Sequence, residues 1–149
     1  MSEAVWHTDD FPELRDGPPW VTEEMVAAQP AVVRALLESP PEGVGALAGM
    51  VREALEAGLP VTVVGCGTSE HGAMAVAEQL AAALGGGWPA PVLARQSLDA
   101  AEHPQRSGVC IAVSHDGGTR ATTLALQAAR EAGARTALVT ARPGGTASG

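Results

Sequence analysis

The chain has 149 residues, 46% hydrophobic and 17% charged, which suits a single globular domain with a real core. Its nine basic residues are all Arg, so Schiff-base and Lys general-base chemistry are excluded. A formal net charge of −8 argues against nucleic acid and anionic membrane as partners, because both need clustered cations.

Residues 1–20 are acidic and irregular and end in Gly17-Pro18-Pro19-Trp20. Trp6, Phe11 and Trp20 are read as anchors of this leader on the domain or on a partner subunit. The segment 21–58 is expected to be helical. Thr22 followed by Glu23 and Glu24 reads as a helix start, the hydroxyl capping free N–H groups and the acids meeting the positive helix end. Pro30 then interrupts, so that Ala31 to Glu38 is either a second helix or a kinked continuation, ended by Pro40-Pro41. Val44, Leu47, Val51 and Leu55 recur at helical spacing towards Gly58, a C-terminal cap.

From residue 59 to 149 the pattern becomes strand–helix alternation. Val61–Val64 reads as a strand and Ser69–Leu84 as a helix stopped by Gly85-Gly86-Gly87. Val92–Ala94 is a second strand, and a polar connection leads to a third at Val109–Val113. Thr119–Ala132 is a helix closed by Gly133, and Thr136–Thr140 is a fourth strand. Apolar runs without alternation imply strands covered on both faces, hence an α/β fold: a three-layer αβα, flavodoxin-like parallel sheet. Residues 141–149 are small, Gly-rich and expected to be mobile. No apolar run approaches the length of a membrane span, and the acidic N-terminus does not read as a signal peptide, so a cytoplasmic protein is expected. Cys66 and Cys110 read as reduced thiols, the latter in the core.

Two loops carry the chemistry. In Gly65-Cys66-Gly67-Thr68-Ser69-Glu70 the glycines allow a tight turn, and the hydroxyls sit beside the free N–H groups of a helix start. A dinucleotide fingerprint would need a third Gly where Glu70 stands, so no cofactor is expected. Ser114-His115-Asp116-Gly117-Gly118-Thr119 repeats the design after the third strand. If the strand order is 2-1-3-4, the loops after strands one and three flank the switch point where open parallel sheets bind ligands. Cys66 reads as a small turn filler more readily than as a reactive thiol, and His71 as a surface residue more readily than as a ligand contact. Glu70 reads as a solvated acid more readily than as the partner of Asp116 in an acid/base pair. His103 beside Glu102 has no further metal-spaced ligand, so no metal is expected.

A Cys-Gly-Thr-Ser turn after the first strand and a Ser-x-x-Gly-x-Thr turn about 45 residues later resemble sugar isomerase (SIS) domains. They are most similar to the first isomerase-domain half of glucosamine-fructose-6-phosphate synthases, whose helical lead-in Met25–Leu37 with Gln29-Pro30 also resembles. The resemblance implies a sugar phosphate or amino-sugar phosphate ligand. Ser69, Ser114, His115, Asp116 and Thr119 would lie on phosphate-binding positions, Cys66 and Thr68 beside the sugar, and Gly67 and Gly117 within the same loops. The family's second loop usually reads Ser-Gln-Ser-Gly-Glu-Thr. Here His115 replaces Gln and can still donate, whereas Asp116 replaces Ser and cannot donate when ionised. A carboxylate about 5 Å from a phosphate is opposed by a few kcal/mol at an effective dielectric near 20. Three arrangements stay open: Asp116 points away, His115 or Arg120 neutralises it, or the ligand brings an amine or hydroxyls to it.

The resemblance further implies a part of an aldose–ketose isomerase, amino-sugar synthase or deglycase type of enzyme, with catalytic residues outside this chain. The alternative is a non-catalytic regulatory binding module. It also implies that the domain stops after its fourth strand, where the family continues, and that it works as a homodimer or with a second SIS domain.

Overall fold

The computed structural model describes residues 21–85 and 91–141. The leader with its aromatic residues, the Gly86-Gly87 stop and residues 142–149 lie outside the described residues. The chain forms two compact units, Met1–Val44 and Gly45–Gly149, each taken by itself.

In the first unit, α1 (Val21–Glu38) runs unbroken through Pro30. The expected choice between a second helix and a continuation is therefore settled for a continuous helix. One proline removes one main-chain hydrogen bond and crowds the carbonyl four residues back. Ala27, Ala28, Ala31, Ala35, Leu36 and Leu37 on either side are strong helix formers that hold the conformation. Thr22 falls inside the first turn rather than at its cap, and Glu23 and Glu24 occupy that turn, where negative charge suits the helix dipole.

The second unit alternates helices with parallel strands: α2 (Val44–Glu56), β1 (Val61–Gly65), α3 (Thr68–Ala83), β2 (Val92–Gln96), α4 (Ser97–Glu102), β3 (Val109–Ser114), α5 (Arg120–Glu131) and β4 (Arg135–Thr140). The N–H groups of Gly58 and Leu59 close α2 by donating to the carbonyls of Leu55 at 3.0 Å and Ala54 at 2.8 Å. The sheet order is β2-β1-β3-β4, all parallel.

Alternate residues of the central strands build two separate cores. On one face Val61, Val63, Val109 and Ile111 pack with Val51, Ala54 and Leu55 of α2 and Ala73 and Ala77 of α3. On the other, Val64, Cys110 and Ala112 meet Ala100 of α4 and Ala125, Leu126 and Ala129 of α5. Each fully buried Leu, Ile or Val contributes about 1.5–3 kcal/mol through apolar area removed from water. The alanines let helix and sheet approach closely, as a composition with 3% aromatics demands. The central strands β1 and β3 are covered on both faces. Edge strands β2 and β4 are only partly buried, with Leu93 and Val139 exposed.

Two features differ from the expectations. The connection after the second strand contains helix α4, whose N-terminus is capped by the Gln96 side chain accepting from the N–H groups of Leu98 and Asp99. Six residues are too few to show a helical period, and the cap is a Gln rather than one of the usual cap residues. The second strand also runs two residues past Ala94, through Arg95 and Gln96. Strand pairing is made by the main chain, so polar side chains at a sheet edge do not prevent it.

At the amino ends of the strands, Gln105 ties segments together. Its amide nitrogen donates to the carbonyls of Pro60 at 3.0 Å and Val109 at 3.2 Å and also to that of Ser107. Its amide oxygen accepts from the Thr62 hydroxyl. Arg135 joins β4 to α2 through Glu53 and the Met50 carbonyl, both at 2.7 Å. Among the described residues, no helix is long and apolar enough to cross a membrane.

Candidate functional site

The sheet order reverses at β1 and β3: β2 lies beyond β1, whereas β4 lies beyond β3. The loops leaving these two central strands therefore diverge to helices on opposite faces and leave a crevice at their carboxyl ends. A cavity of about 590 Å³ lies there, lined by Thr68, Ser69, Val113, Ser114, His115, Val139, Thr140 and Ala141.

The β1–α3 turn is shaped by close packing. A Cβ on Gly65 would lie 2.2 Å from the Ser69 carbonyl oxygen, so only glycine lets α3 begin this near the strand end. Gly67 follows at φ +60°, in the left-handed region, and redirects the chain into α3. No side chain caps α3 or α5.

The β3–α5 loop is ordered from within. Ser114 is 3% exposed, and its hydroxyl accepts from the Gly117 N–H at 3.2 Å. The same hydroxyl donates to Asp116 Oδ1 at 3.3 Å and lies 3.4 Å from Thr119 Oγ1. Asp116 Oδ1 also accepts from the Gly118 N–H at 2.9 Å, so the carboxylate turns back onto its own loop. The strand next door braces this loop: the Thr140 hydroxyl and the Ala141 N–H donate to the His115 carbonyl at 3.0 and 3.2 Å.

Of the residues anticipated from the sequence, Thr68, Ser69, Ser114 and His115 share the cavity wall. Cys66, Gly67, Asp116, Gly117 and Thr119 lie on the same two loops but off that wall. His71, one turn into α3, is exposed and also off it, as is Arg120, the first residue of α5. Val113, Val139, Thr140 and Ala141 were not anticipated. Their signal was the switch-point rule itself, which brings the end of the next strand beside the loop of its neighbour. Among the described residues, no cluster of three His, Cys, Asp or Glu side chains is placed to hold a metal. Cys110 lies in the core away from the site. Burial pushes its thiol up to about 11, an effect that Arg95 partly opposes.

The wall thus sets the hydroxyl-bearing residues Thr68, Ser69, Ser114 and Thr140 around a mostly apolar surface that includes Val113, Val139 and Ala141, and among the described residues His115 is its one titratable side chain. Such a surface can hydrogen-bond a polyhydroxylated molecule on one side and pack its C–H face on another.

No protein-family model matches the chain, and no curated protein matches it in sequence. Solved structures do match in fold. A phosphoheptose isomerase from Francisella tularensis aligns with a TM-score of 0.59 at 16% identity, over 85% of this chain and 78% of that one. Glucosamine-6-phosphate deaminase from Thermotoga maritima aligns with a TM-score of 0.51 at 20% identity, over 59% of this chain. The aligned part spans only 28% of the deaminase. At these identities the likeness is one of architecture: the chain has the three-layer αβα, sugar isomerase-like fold with a parallel sheet.

Proposed function

We propose that this chain binds a carbohydrate derivative, of the sugar phosphate or amino-sugar class, between the β1–α3 and β3–α5 loops. The observation that carries this reading is the convergence of Thr68, Ser69, Ser114 and Thr140 on one cavity of about 590 Å³ at the switch point. That volume lies in the range of small-molecule sites. The sugar isomerase and deaminase named above share the fold and favour the same class of ligand.

Ring opening and isomerisation need a general acid and a general base within hydrogen-bond reach of the substrate. His115 is the one titratable side chain on the described wall. The reading therefore gives this chain a binding role within an isomerase, amino-sugar synthase or deglycase type of enzyme, resembling the first isomerase half of the synthases. The remaining catalytic groups come from a second copy or a second SIS domain, in a soluble cytoplasmic assembly. The solitary His115 equally favours a second reading, a non-catalytic regulatory module.

Calorimetry with glucosamine-6-phosphate, fructose-6-phosphate and glucosamine tests the binding. The expected result is saturable binding of at least one of them, weakened about tenfold in Ser69→Ala and Ser114→Ala. Absence of binding by all three overturns the proposal. Interconversion of fructose-6-phosphate and glucosamine-6-phosphate by this chain alone would overturn the assignment of catalysis elsewhere.

A further inference from the structure

The two sides of the cavity differ in chemistry. Val113 and Val139 are register partners on β3 and β4, so their side chains lie next to each other on one face of the sheet. It is the face that α3 covers, and there Val113 stands opposite Gly72, which adds no side chain above it. With Ala141 the two valines make this side of the wall apolar.

The hydroxyls at the same strand ends do not offset that. The Ser114 hydroxyl donates to Asp116 at 3.3 Å, and the Thr140 hydroxyl donates to the His115 carbonyl at 3.0 Å. Both protons are directed into the protein. On the β1–α3 side, the Thr68 and Ser69 hydroxyls make no hydrogen bond among the described residues and are left to donate to a ligand.

A half-exposed valine is common on any protein surface and by itself signals nothing. Val139, 46% exposed, is set apart by its place in a concave site, paired with Val113 and sharing the wall with free donors. An unsubstituted sugar laid across this wall would set hydroxyls against carbon, where they lose water without gaining a partner. An acyl group on a sugar nitrogen supplies the apolar surface that the β3–β4 side matches, while the ring hydroxyls meet Thr68 and Ser69.

We infer that the site takes an N-acylated amino sugar, with its acyl group on Val113 and Val139 and its ring hydroxyls towards Thr68 and Ser69. The inference rests on the carbohydrate site proposed above and narrows its ligand class. It makes Val139 a specificity-determining residue.

Calorimetry with glucosamine and its N-formyl, N-acetyl and N-propionyl derivatives, each with and without a 6-phosphate, tests the inference. The acetyl derivative should bind about tenfold or more tightly than the free amine. It should also bind about fourfold more tightly than the formyl derivative, the gain of one further buried carbon. Val139→Thr keeps the branched shape and replaces a methyl by a hydroxyl, and it should remove the step from formyl to acetyl. Ser69→Ala should weaken all derivatives alike. In the unaltered chain, the methyl resonances of Val113 and Val139 should shift saturably with the acetyl derivative.

Equal or tighter binding of the free amine overturns the inference and leaves the carbohydrate site standing. So does an acyl preference that Val139→Thr leaves intact, or the lack of any response from both valines in the unaltered chain. If no sugar of either series binds, the carbohydrate reading fails and this inference falls with it.

Discussion

Gly65 and Ser69 approach so closely that a Cβ on the glycine would sit 2.2 Å from the Ser69 carbonyl oxygen, 2.5 Å from its carbon and 2.7 Å from the Glu70 nitrogen. The obstructing atoms are all main chain, and no side-chain rotation relieves them. Gly65→Ala should therefore displace the start of α3 and cost about 3 kcal/mol, the upper end for overpacking, in urea denaturation. Gly67→Ala makes the contrast. Nothing lies within 4 Å of its added Cβ, and its cost should be the positive-φ backbone strain alone, about 1–2 kcal/mol. Equal losses in the two variants would contradict the packing argument.

Ser114→Ala removes the acceptor of the Gly117 N–H, which is buried in the loop. An orphaned buried donor costs about 1–3 kcal/mol, and the chemical denaturation midpoint should fall accordingly. Faster hydrogen exchange at Gly117 than in the unaltered chain is the specific signature.

Gln105 holds the amino ends of β1 and β3, the opposite end of the sheet from the cavity. Gln105→Ala should lower stability by about 2 kcal/mol, since several main-chain carbonyls and the Thr62 hydroxyl lose a partner together. Ligand affinity, measured well below the unfolding transition, should stay unchanged. A matching loss of affinity would mean that the two ends of the sheet are coupled.

Cys110 is 2% exposed, and its thiol ionises near 11 rather than at its ordinary 9.0, chiefly because burial disfavours the thiolate. Between those values the unfolded chain has released a proton that the folded chain keeps. Stability should therefore fall as pH rises from about 9 to about 11, by up to about 3 kcal/mol. Denaturation of Cys110→Ala across the same range should lack that part of the slope. In native protein, thiol reagents should modify the half-buried Cys66 well before Cys110.

The order of helices and strands was legible because β1 and β3 are short apolar runs bounded by glycines, with Gly58 and Gly133 closing the helices before β1 and β4. The continuity of α1 was not, because local rules give Pro30 a penalty without weighing it against the alanines on both sides. Helix α4 was hidden by its brevity and by the Gln96 cap. The extension of β2 through Arg95 and Gln96 was hidden because main-chain pairing at a sheet edge ignores side-chain polarity.

For the site, the sequence by itself determined which residues supply hydroxyls and tight turns, since Gly65, Gly67, Thr68, Ser69 and Ser114 declare their conformational freedom and chemistry locally. Tertiary structure alone decided how they meet. The pairing of β1 with β3 brought Thr68 and Ser69 to the same cavity as Ser114, and the pairing of β3 with β4 added Val139, Thr140 and Ala141. It also decided the direction of Asp116. Residue type fixes a carboxylate's charge, but which donors it faces depends on the path of the chain around it, and here that path turns it onto Gly118.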